Sequence, residues 1–293
     1  MVCNECPRHC GASRDENKVG GVCLSPALPR IARAAPHFGE EPCISGERGS
    51  GTVFFSGCNL KCVFCQNHEI SRGKVGETVS VERLRDIFLE LQDKGVHNIN
   101  LVTGSHYVTP IVKALEAAKL NIPVVWNSSG YDSTEGLKRL EGLVQIYMPD
   151  MKYMDSDLAR RYSAAPDYPE VAAAAIEEMY RQVGDFILDD DDMLRYGVLI
   201  RHLILPHAEE NSRRVIDYVA DTFPGDKVLF SLMCQFTPMP DTECFPELQK
   251  TVPAEVNDRL CRYMAERGIE WGFYQETSSA TEEMIPDFDL TGV

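Results

Sequence analysis

Short, mostly apolar runs alternate along this chain with longer segments in which apolar residues return every three or four positions. The runs are Thr52 to Phe55, Asn98 to Val102, Pro123 to Trp126, Val144 to Met148, Val198 to Leu205 and Val228 to Met233, and each predicts a buried strand. Helical spacing follows in Val81 to Leu91, whose apolar positions Val81, Leu84, Ile87, Phe88 and Leu91 stand behind Ser80 as a candidate cap. Further helices are predicted over Pro110 to Lys119, Ser133 to Leu140, a segment starting at Asp155, Glu209 to Thr222 and Ala254 to Arg267. Strands alternating with helices imply right-handed crossovers and a parallel sheet. Six such β units fall short of the eight that close a full barrel, so the expected fold is α/β, an open (β/α)6 partial TIM barrel. One interruption is expected, an alanine- and acid-rich helix from Pro166 to Gly184, followed by a hairpin with Asp189 to Asp192 at its tip. The first ~45 residues show no sustained periodicity and read as loops. The chain therefore divides into a Cys-rich N-terminal segment (1–45) and a barrel core (46–293).

Composition narrows the function classes. The 293 residues carry 29 basic against 45 acidic side chains, a formal charge of −16. Such a surface repels a phosphate backbone, so no nucleic-acid partner is expected. No apolar run approaches the ~18 residues of a membrane span, and no signal-peptide core follows the start, which points to a cytoplasmic protein. Thiols stay reduced there, so the eleven cysteines suggest metal or redox chemistry more than disulfides.

Three of those cysteines, Cys58, Cys62 and Cys65 in GCNLKCVFCQN, directly follow the first predicted strand. Zinc normally takes four protein ligands, and this loop supplies three, with no histidine until His68. A four-iron cubane held by three thiolates keeps one iron open, and an open metal position can take a small molecule. A second set, Cys3, Cys6, Cys10 and Cys23, has the spacing C-x2-C-x3-C-x12-C. It offers four ligands for either zinc or a second iron–sulfur cluster, with Pro7 and Gly11 suited to the tight turns and Cys43, near His37, as an alternative ligand. Cys234, Cys244 and Cys261 have no metal spacing and read as small buried hydrophobes.

Ligands of parallel α/β sheets bind at the carboxyl ends of the strands. The polar runs of this chain fall there: Thr103-Gly104-Ser105-His106, Asn127-Ser128-Ser129-Gly130, Met148 to Lys152, Arg201-His202 and Gln235. Thr103 and Gly104 read as an ordinary turn or as a close backbone approach to a ligand. Asn127 and Ser128 could reach ribose hydroxyls or a cation, although Asp132 or Ser133 would also make a helix cap there. Asp150 and Lys152 alternate, so both point to one side. An arginine inside a buried strand needs an anionic partner, a carboxylate of Asp150 or of a bound ligand, and Arg201 is expected to face the barrel. His202 then faces away as a packing residue. His106 and Tyr107 could touch substrate or be structural.

The C-x3-C-x2-C loop, with aromatic Phe64 before its last cysteine, resembles the cluster loop of the radical S-adenosylmethionine (SAM) superfamily. CNECPRHCGASR, HFGEEPCISGERGSGTVFFSGCNLKCVFCQNHEIS, WNSSGY, YMPDMKY, RHLILP and PDFDLTGV resemble the branch that includes pyruvate formate-lyase activating enzyme and its uncharacterised iron–sulfur homologues. The resemblance implies a [4Fe-4S] cluster on Cys58, Cys62 and Cys65 whose open iron takes the methionine end of SAM. It implies that Asp150 and Lys152 lie near the SAM carboxylate, Asn127 and Ser128 where activases use an Asp-Thr pair, and Gln235 near the adenosine. Arg201 matches the fifth-strand arginine. The usual Gly-Gly-Glu is Thr103-Gly104-Ser105 here, so that segment offers the SAM amine no carboxylate. The implied activity is reductive SAM cleavage followed by hydrogen-atom abstraction, with a flavodoxin or ferredoxin as electron donor. An activase-like role on a protein substrate is expected first, entering through a lower barrel mouth that no C-terminal domain closes. A small metabolite or peptide substrate is the alternative, and a non-catalytic electron carrier a third reading.

Overall fold

The computed structural model describes residues 2–16, 18–225, 227–275 and 286–293. Its strands are β1 (Arg30–His37), β2 (Ser50–Phe55), β3 (Glu77–Thr78), β4 (Ile99–Val102), β5 (Val124–Ser128), β6 (Ile146–Pro149), β7 (Ile187–Leu188), β8 (Leu194–Leu203), β9 (Leu229–Met233) and β10 (Gly272–Tyr274). The helices are α1 (Pro42–Ser45), α2 (His68–Ser71), α3 (Val81–Asp93), α4 (Val108–Ala118), α5 (Thr134–Lys138), α6 (Ser156–Ser163), α7 (Tyr168–Val183), α8 (Glu209–Thr222) and α9 (Ala254–Glu266).

Strand order is β10-β9-β8-β6-β5-β4-β2-β1-β3, with β2, β4, β5, β6, β8, β9 and β10 mutually parallel. The two ends of this order are not paired with each other, so the barrel is open, as six βα units require. Mostly apolar runs form its strands because both faces are covered: every residue of β4, β5 and β6 is buried. The helices follow the 3.6-residue rhythm. In α3, Leu84, Ile87, Phe88 and Leu91 are buried on one face, and Ser80 caps the first turn by accepting from the Arg83 N–H at 3.1 Å. The added helix is α7, and the acidic tip is real: β7 pairs antiparallel with the start of β8 around a turn in which Asp189 Oδ1 accepts from the Asp191 and Met193 N–H groups.

Three expectations need correction. The first 45 residues are not all loop. Arg30–His37 is a strand, antiparallel to β2 along most of its length, and its pattern of alternating Ala and Arg is too weakly apolar to announce it. The division at residue 45 therefore separates a strand from its own sheet. Second, a short parallel strand, β10, extends the sheet beyond β9. Third, the lower mouth is filled. Cys43 and Ile44 of α1 are buried among Val125, Ile146, Met148, Leu199 and Leu229, so α1 plugs the amino-terminal end of the barrel. Cys43 is thus a core residue, well away from a role as ligand beside the N-terminal cysteines. The closing segment Pro286–Val293 returns to β1, where Ala34 N–H donates to Thr291 O (2.8 Å) and Leu290 N–H to Ala32 O (3.0 Å).

Candidate active site

The loop between β2 and α2 carries the three clustered cysteines to the carboxyl end of the sheet. Gly57 starts it at φ +87°, a conformation that suits glycine, and the residue is pressed against the Cys23 carbonyl and Ser25 hydroxyl. Phe64 anchors the loop from below, 95% buried, with its ring 6.3 to 6.5 Å from those of Phe236, Tyr153 and Tyr162. The sulfurs have donors of their own: Leu60 N–H points at Cys58 Sγ (3.4 Å) and the Ser163 hydroxyl at Cys62 Sγ (3.0 Å). Burial, then the neighbouring Cys62 and Cys65, pushes the Cys58 thiol up to about 12, and burial raises Cys65 as well. Such thiols ionise only beside a strong cation, which is what cluster iron provides.

All three cysteines line a cavity of about 430 Å³ that runs across the carboxyl ends of the strands. Its floor is an ionic network around Arg201. The guanidinium donates through Nε to Asp150 Oδ1 (3.1 Å), through Nη1 to Glu40 Oε2 (2.9 Å) and through Nη2 to Asn127 Oδ1 (2.7 Å). Lys152 Nζ donates to the other Asp150 oxygen at 2.5 Å. Burial alone would raise Asp150, but Lys152 and Arg201 outweigh it and hold the carboxyl below its usual range. Glu40 also accepts from the side-chain amides of Asn127 (3.0 Å) and Asn100 (3.2 Å). Glu41 lies next to it, 4.0 Å from Arg201 Nη1, with Oε2 lacking a hydrogen-bond partner among the described residues. Burial is the main reason its carboxyl is pushed up. Tyr168, from the added helix α7, ties the strand ends together: its hydroxyl lies 2.7 Å from both Ser129 O and Asp150 O and accepts from the Lys152 N–H.

The structure thus brings Cys58, Cys62, Phe64, Cys65, Thr103, Asn127, Ser128, Asp150, Lys152, Arg201 and Gln235 to one cavity. Thr103 is held at φ +63°, an unusual setting for a β-branched residue, with its N–H on Asn127 O at 2.8 Å. Gly104 lies off the cavity, where an added Cβ would come within 2.8 Å of the Trp126 ring, so its role is close packing. The Ser128 hydroxyl is engaged by the buried Asp132 carboxylate at 2.5 Å, while Ser133 caps α5 by accepting from the Gly136 N–H. Gln235 accepts from the Gln275 amide at 3.0 Å. His202 faces away from the cavity between Met151 O (2.7 Å) and Ser212 Oγ (2.9 Å), a packing histidine. His106 is fully buried against Ser56 O with its ring tilted against that of Tyr107, hence structural. Cys244 is exposed, contrary to its reading as a buried hydrophobe, whereas Cys234 is buried. Glu40, Glu41 and Tyr168 were not singled out from the sequence. The adjacent acids between Gly39 and Pro42, inside an otherwise apolar neighbourhood, were the available signal.

The residues suit a three-thiolate cluster. Three sulfurs face the cavity, no fourth cysteine lines it among the described residues, and the buried Ser129 hydroxyl in its wall has no partner there. Among the described residues no helix is long and apolar enough to cross a membrane.

Comparison with known proteins agrees with this geometry. The sequence profile of the Radical SAM superfamily matches residues 52–188. "Uncharacterized protein MJ0674" of Methanocaldococcus jannaschii is 27% identical over 263 residues, covering 86% of this chain and 71% of that protein. Among solved structures, Streptococcus suis SuiB bound to its precursor peptide SuiA superposes with a TM-score of 0.53 at 16% identity, over 78% of this chain and 49% of SuiB. SuiB bound to S-adenosylmethionine gives 0.52 at 16% identity, over 78% and 48%. The chain spans about half the length of these structural neighbours, and at that identity the likeness concerns the fold. From the strand that leads into the cysteine loop through the β7 strand of the acidic hairpin, this chain is similar to the Radical SAM superfamily.

Proposed function

We propose that the chain is a radical SAM enzyme of the activating-enzyme-like kind, with a [4Fe-4S] cluster on Cys58, Cys62 and Cys65. The observation that carries this reading is the convergence of three clustered thiols and an ion-paired floor on one cavity, which no fourth cysteine lines among the described residues. When bound, the reduced cluster supplies the electron that splits the sulfonium C–S bond of SAM into methionine and a 5′-deoxyadenosyl radical, which then takes a hydrogen atom from substrate. The protein's part is positioning and water exclusion. Lys152 and Arg201 present cationic groups for the methionyl carboxylate, and Asp150 fixes both by pairing with them. Asn127 and Gln235 offer amides for the remaining polar edges of SAM. Phe64 and its aromatic neighbours hold the loop still. A flavodoxin or ferredoxin is the electron donor in this reading.

A polypeptide substrate is supported by the side of the cavity rather than by its plugged lower end. Phe38 and Tyr274, 63% and 67% exposed, line the cavity from opposite margins of the open sheet and would accept an extended chain. The neighbour crystallised with a precursor peptide fits that reading. The test is anaerobic reconstitution with iron and sulfide, reduction by dithionite and addition of SAM. Methionine and 5′-deoxyadenosine should form, and Cys62→Ala should abolish them. An intact cluster that leaves SAM uncut overturns the proposal and favours an electron carrier. Co-expression with glycyl-radical enzyme candidates should give a glycyl doublet in EPR; turnover of a small molecule with no doublet would favour a metabolite enzyme.

A further inference from the structure

Cys3, Cys6, Cys10 and Cys23 lie outside the cavity just described. Their segment is folded by two isolated bridges, Val2 with Ser13 and Gly20 with Ser25, and by left-handed turns at His9, Gly11 and Gly21. Those turns draw the thiols toward a common region. A Cβ built on Gly21 would lie 3.1 Å from Cys10 Sγ and 3.7 Å from Cys23 Sγ. Arg14 bridges the other side, with Nη2 donating to Cys3 Sγ at 3.0 Å and Nη1 to Cys23 Sγ at 3.6 Å. Cys6 is buried in the same segment.

Arg14 is the informative residue. It is 93% buried, and its remaining hydrogen bonds go to the carbonyls of Pro26 and His106. Among these described contacts it meets no carboxylate. A guanidinium buried without negative charge is strongly unfavourable, and the nearest groups able to carry that charge are the thiols, ionised by a bound metal. Single-ion zinc fits poorly. A tetrahedral ion holds its sulfurs at about 2.3 Å and so crowds all four together. Among the described residues no three potential ligands are gathered closely enough for one ion, and this holds for Cys58, Cys62 and Cys65 as well. A cubane spreads its thiolates over a wider frame.

The segment is also fastened to the cysteine loop of the cavity. Arg8, between Cys6 and Cys10, donates to Asn59 O at 2.7 Å and to Ser163 O at 3.1 Å, and the Ser163 hydroxyl points at Cys62 Sγ. The Cys23 carbonyl lies 2.6 Å from the position of a Cβ on Gly57, the residue before Cys58. Cys10 at the far side is exposed, while Phe64 and the cavity loop are covered.

We propose that Cys3, Cys6, Cys10 and Cys23 hold a second iron–sulfur cluster, counterbalanced by Arg14, that relays single electrons from the surface to the cavity cluster. The relay is balanced by one electron: a reduced flavin or iron–sulfur carrier is oxidised, the second cluster is reduced and reoxidised, and no proton or bond moves. The relay half rests on the function proposed above; the metal half does not.

The first experiment uses the full chain with Cys58, Cys62 and Cys65 all changed to alanine, reconstituted anaerobically. It should retain about four iron and four sulfide per chain and show a reduced-cluster EPR signal. Zinc without iron, or no metal in a chain shown to be folded by circular dichroism, overturns the proposal. The second compares Arg14→Gln and Arg14→Lys in that same background: Gln should make the midpoint potential of the remaining cluster more negative, and Lys should restore it. Equal potentials in all three remove the counter-charge argument. The third measures SAM cleavage by Cys10→Ala with purified flavodoxin and with dithionite. The ratio of carrier-driven to dithionite-driven cleavage should fall about tenfold; an unchanged ratio overturns the relay. Failure of the wild type to cleave SAM even with dithionite would overturn the function proposed above while leaving the iron count to decide the second site.

Discussion

Replacing Arg201 by methionine removes the cation that holds three carboxyl groups at the floor of the cavity. Asp150 and Glu40 would each lose an ion pair of 3.1 and 2.9 Å, Glu41 its neighbouring positive charge at 4.0 Å, and Asn127 a donor at 2.7 Å. Only Lys152 would remain against them, and it reaches Asp150 alone among these groups. Leaving one side of a buried pair costs about 3–5 kcal/mol, against roughly 0–1 for an exposed pair. Side-chain exposures of 9 to 16% in the network place this case among the buried ones. The assay is urea unfolding of the apoprotein, so that cluster loss does not enter. Its pH dependence is diagnostic. In the wild type Asp150 sits below its ordinary range, so its contribution is complete above about pH 3.9 and is lost only as pH falls through the still lower folded value. In the variant the abandoned carboxyls favour the protonated form, so the penalty should be largest near pH 8 and shrink toward pH 5. Arg201→Lys should fall between, because an ammonium cannot reach three acceptors in fork geometry. A penalty under about 1 kcal/mol, or one equal at both pH values, would refute the claim that this network is a buried electrostatic unit.

The fully buried histidines give a separate acid signature. Burial lowers His106 to about 3 and His202 to about 4, so between about pH 6.5 and 4 the unfolded chain binds protons that the folded chain refuses. Unfolding free energy should therefore fall across that window by up to about 1.4 kcal/mol per pH unit for each histidine, read as a falling melting temperature, and a flat profile would contradict the assignment. Tyr168→Phe removes the hydroxyl that joins Ser129, Asp150 and Lys152, and urea titration should show a loss of about 1–3 kcal/mol. Gly57→Ala forces a side chain into left-handed backbone and to within 2.6 Å of the Cys23 carbonyl. It should free the N-terminal turn from the cysteine loop, seen as faster proteolytic cleavage within residues 2–25; unchanged cleavage would show that the contact does not hold the turn.

Much of the barrel was legible because burial on both faces leaves a mark in each strand: β4, β5, β6 and β9 are mostly apolar and are wholly buried. What escaped was structure whose residues are set by other demands. β1 lies antiparallel next to the short edge strand β3, and its Arg30 and Arg33 face loops and the chain's closing segment, where Arg30 binds the Gly73 and Gly76 carbonyls and Arg33 meets Asp289. Arginine in a strand reads as loop unless its partners are known. β10 spans three residues with two exposed, too short for any period to register. The plug α1 is a single turn opened by a proline, and one turn carries no periodicity either.

The site shows the same division between local and non-local information. Three cysteines with fixed spacing must lie near one another whatever the fold, so their chemistry could be read from a few letters. The Asp150–Lys152 pair was equally local, because strand alternation alone puts both on one side. Arg201 is the intermediate case. Its burial in an apolar run demanded an anion, and Asp150 was readable as one supplier, but Glu40 was not. Glu40 is 161 positions away and arrives only because β1 pairs with β2 and the chain then turns inward to plug the barrel. The same turn inward explains why the lower mouth was misjudged: the segment that balances Arg201 is the one that fills it. A single loop of sequence, HFGEEPCIS, thus supplies both the floor's negative charge and the apolar stopper beneath it, so the two functions cannot vary independently. Changes in Cys43 or Ile44 should therefore disturb Arg201 through the backbone of Glu40.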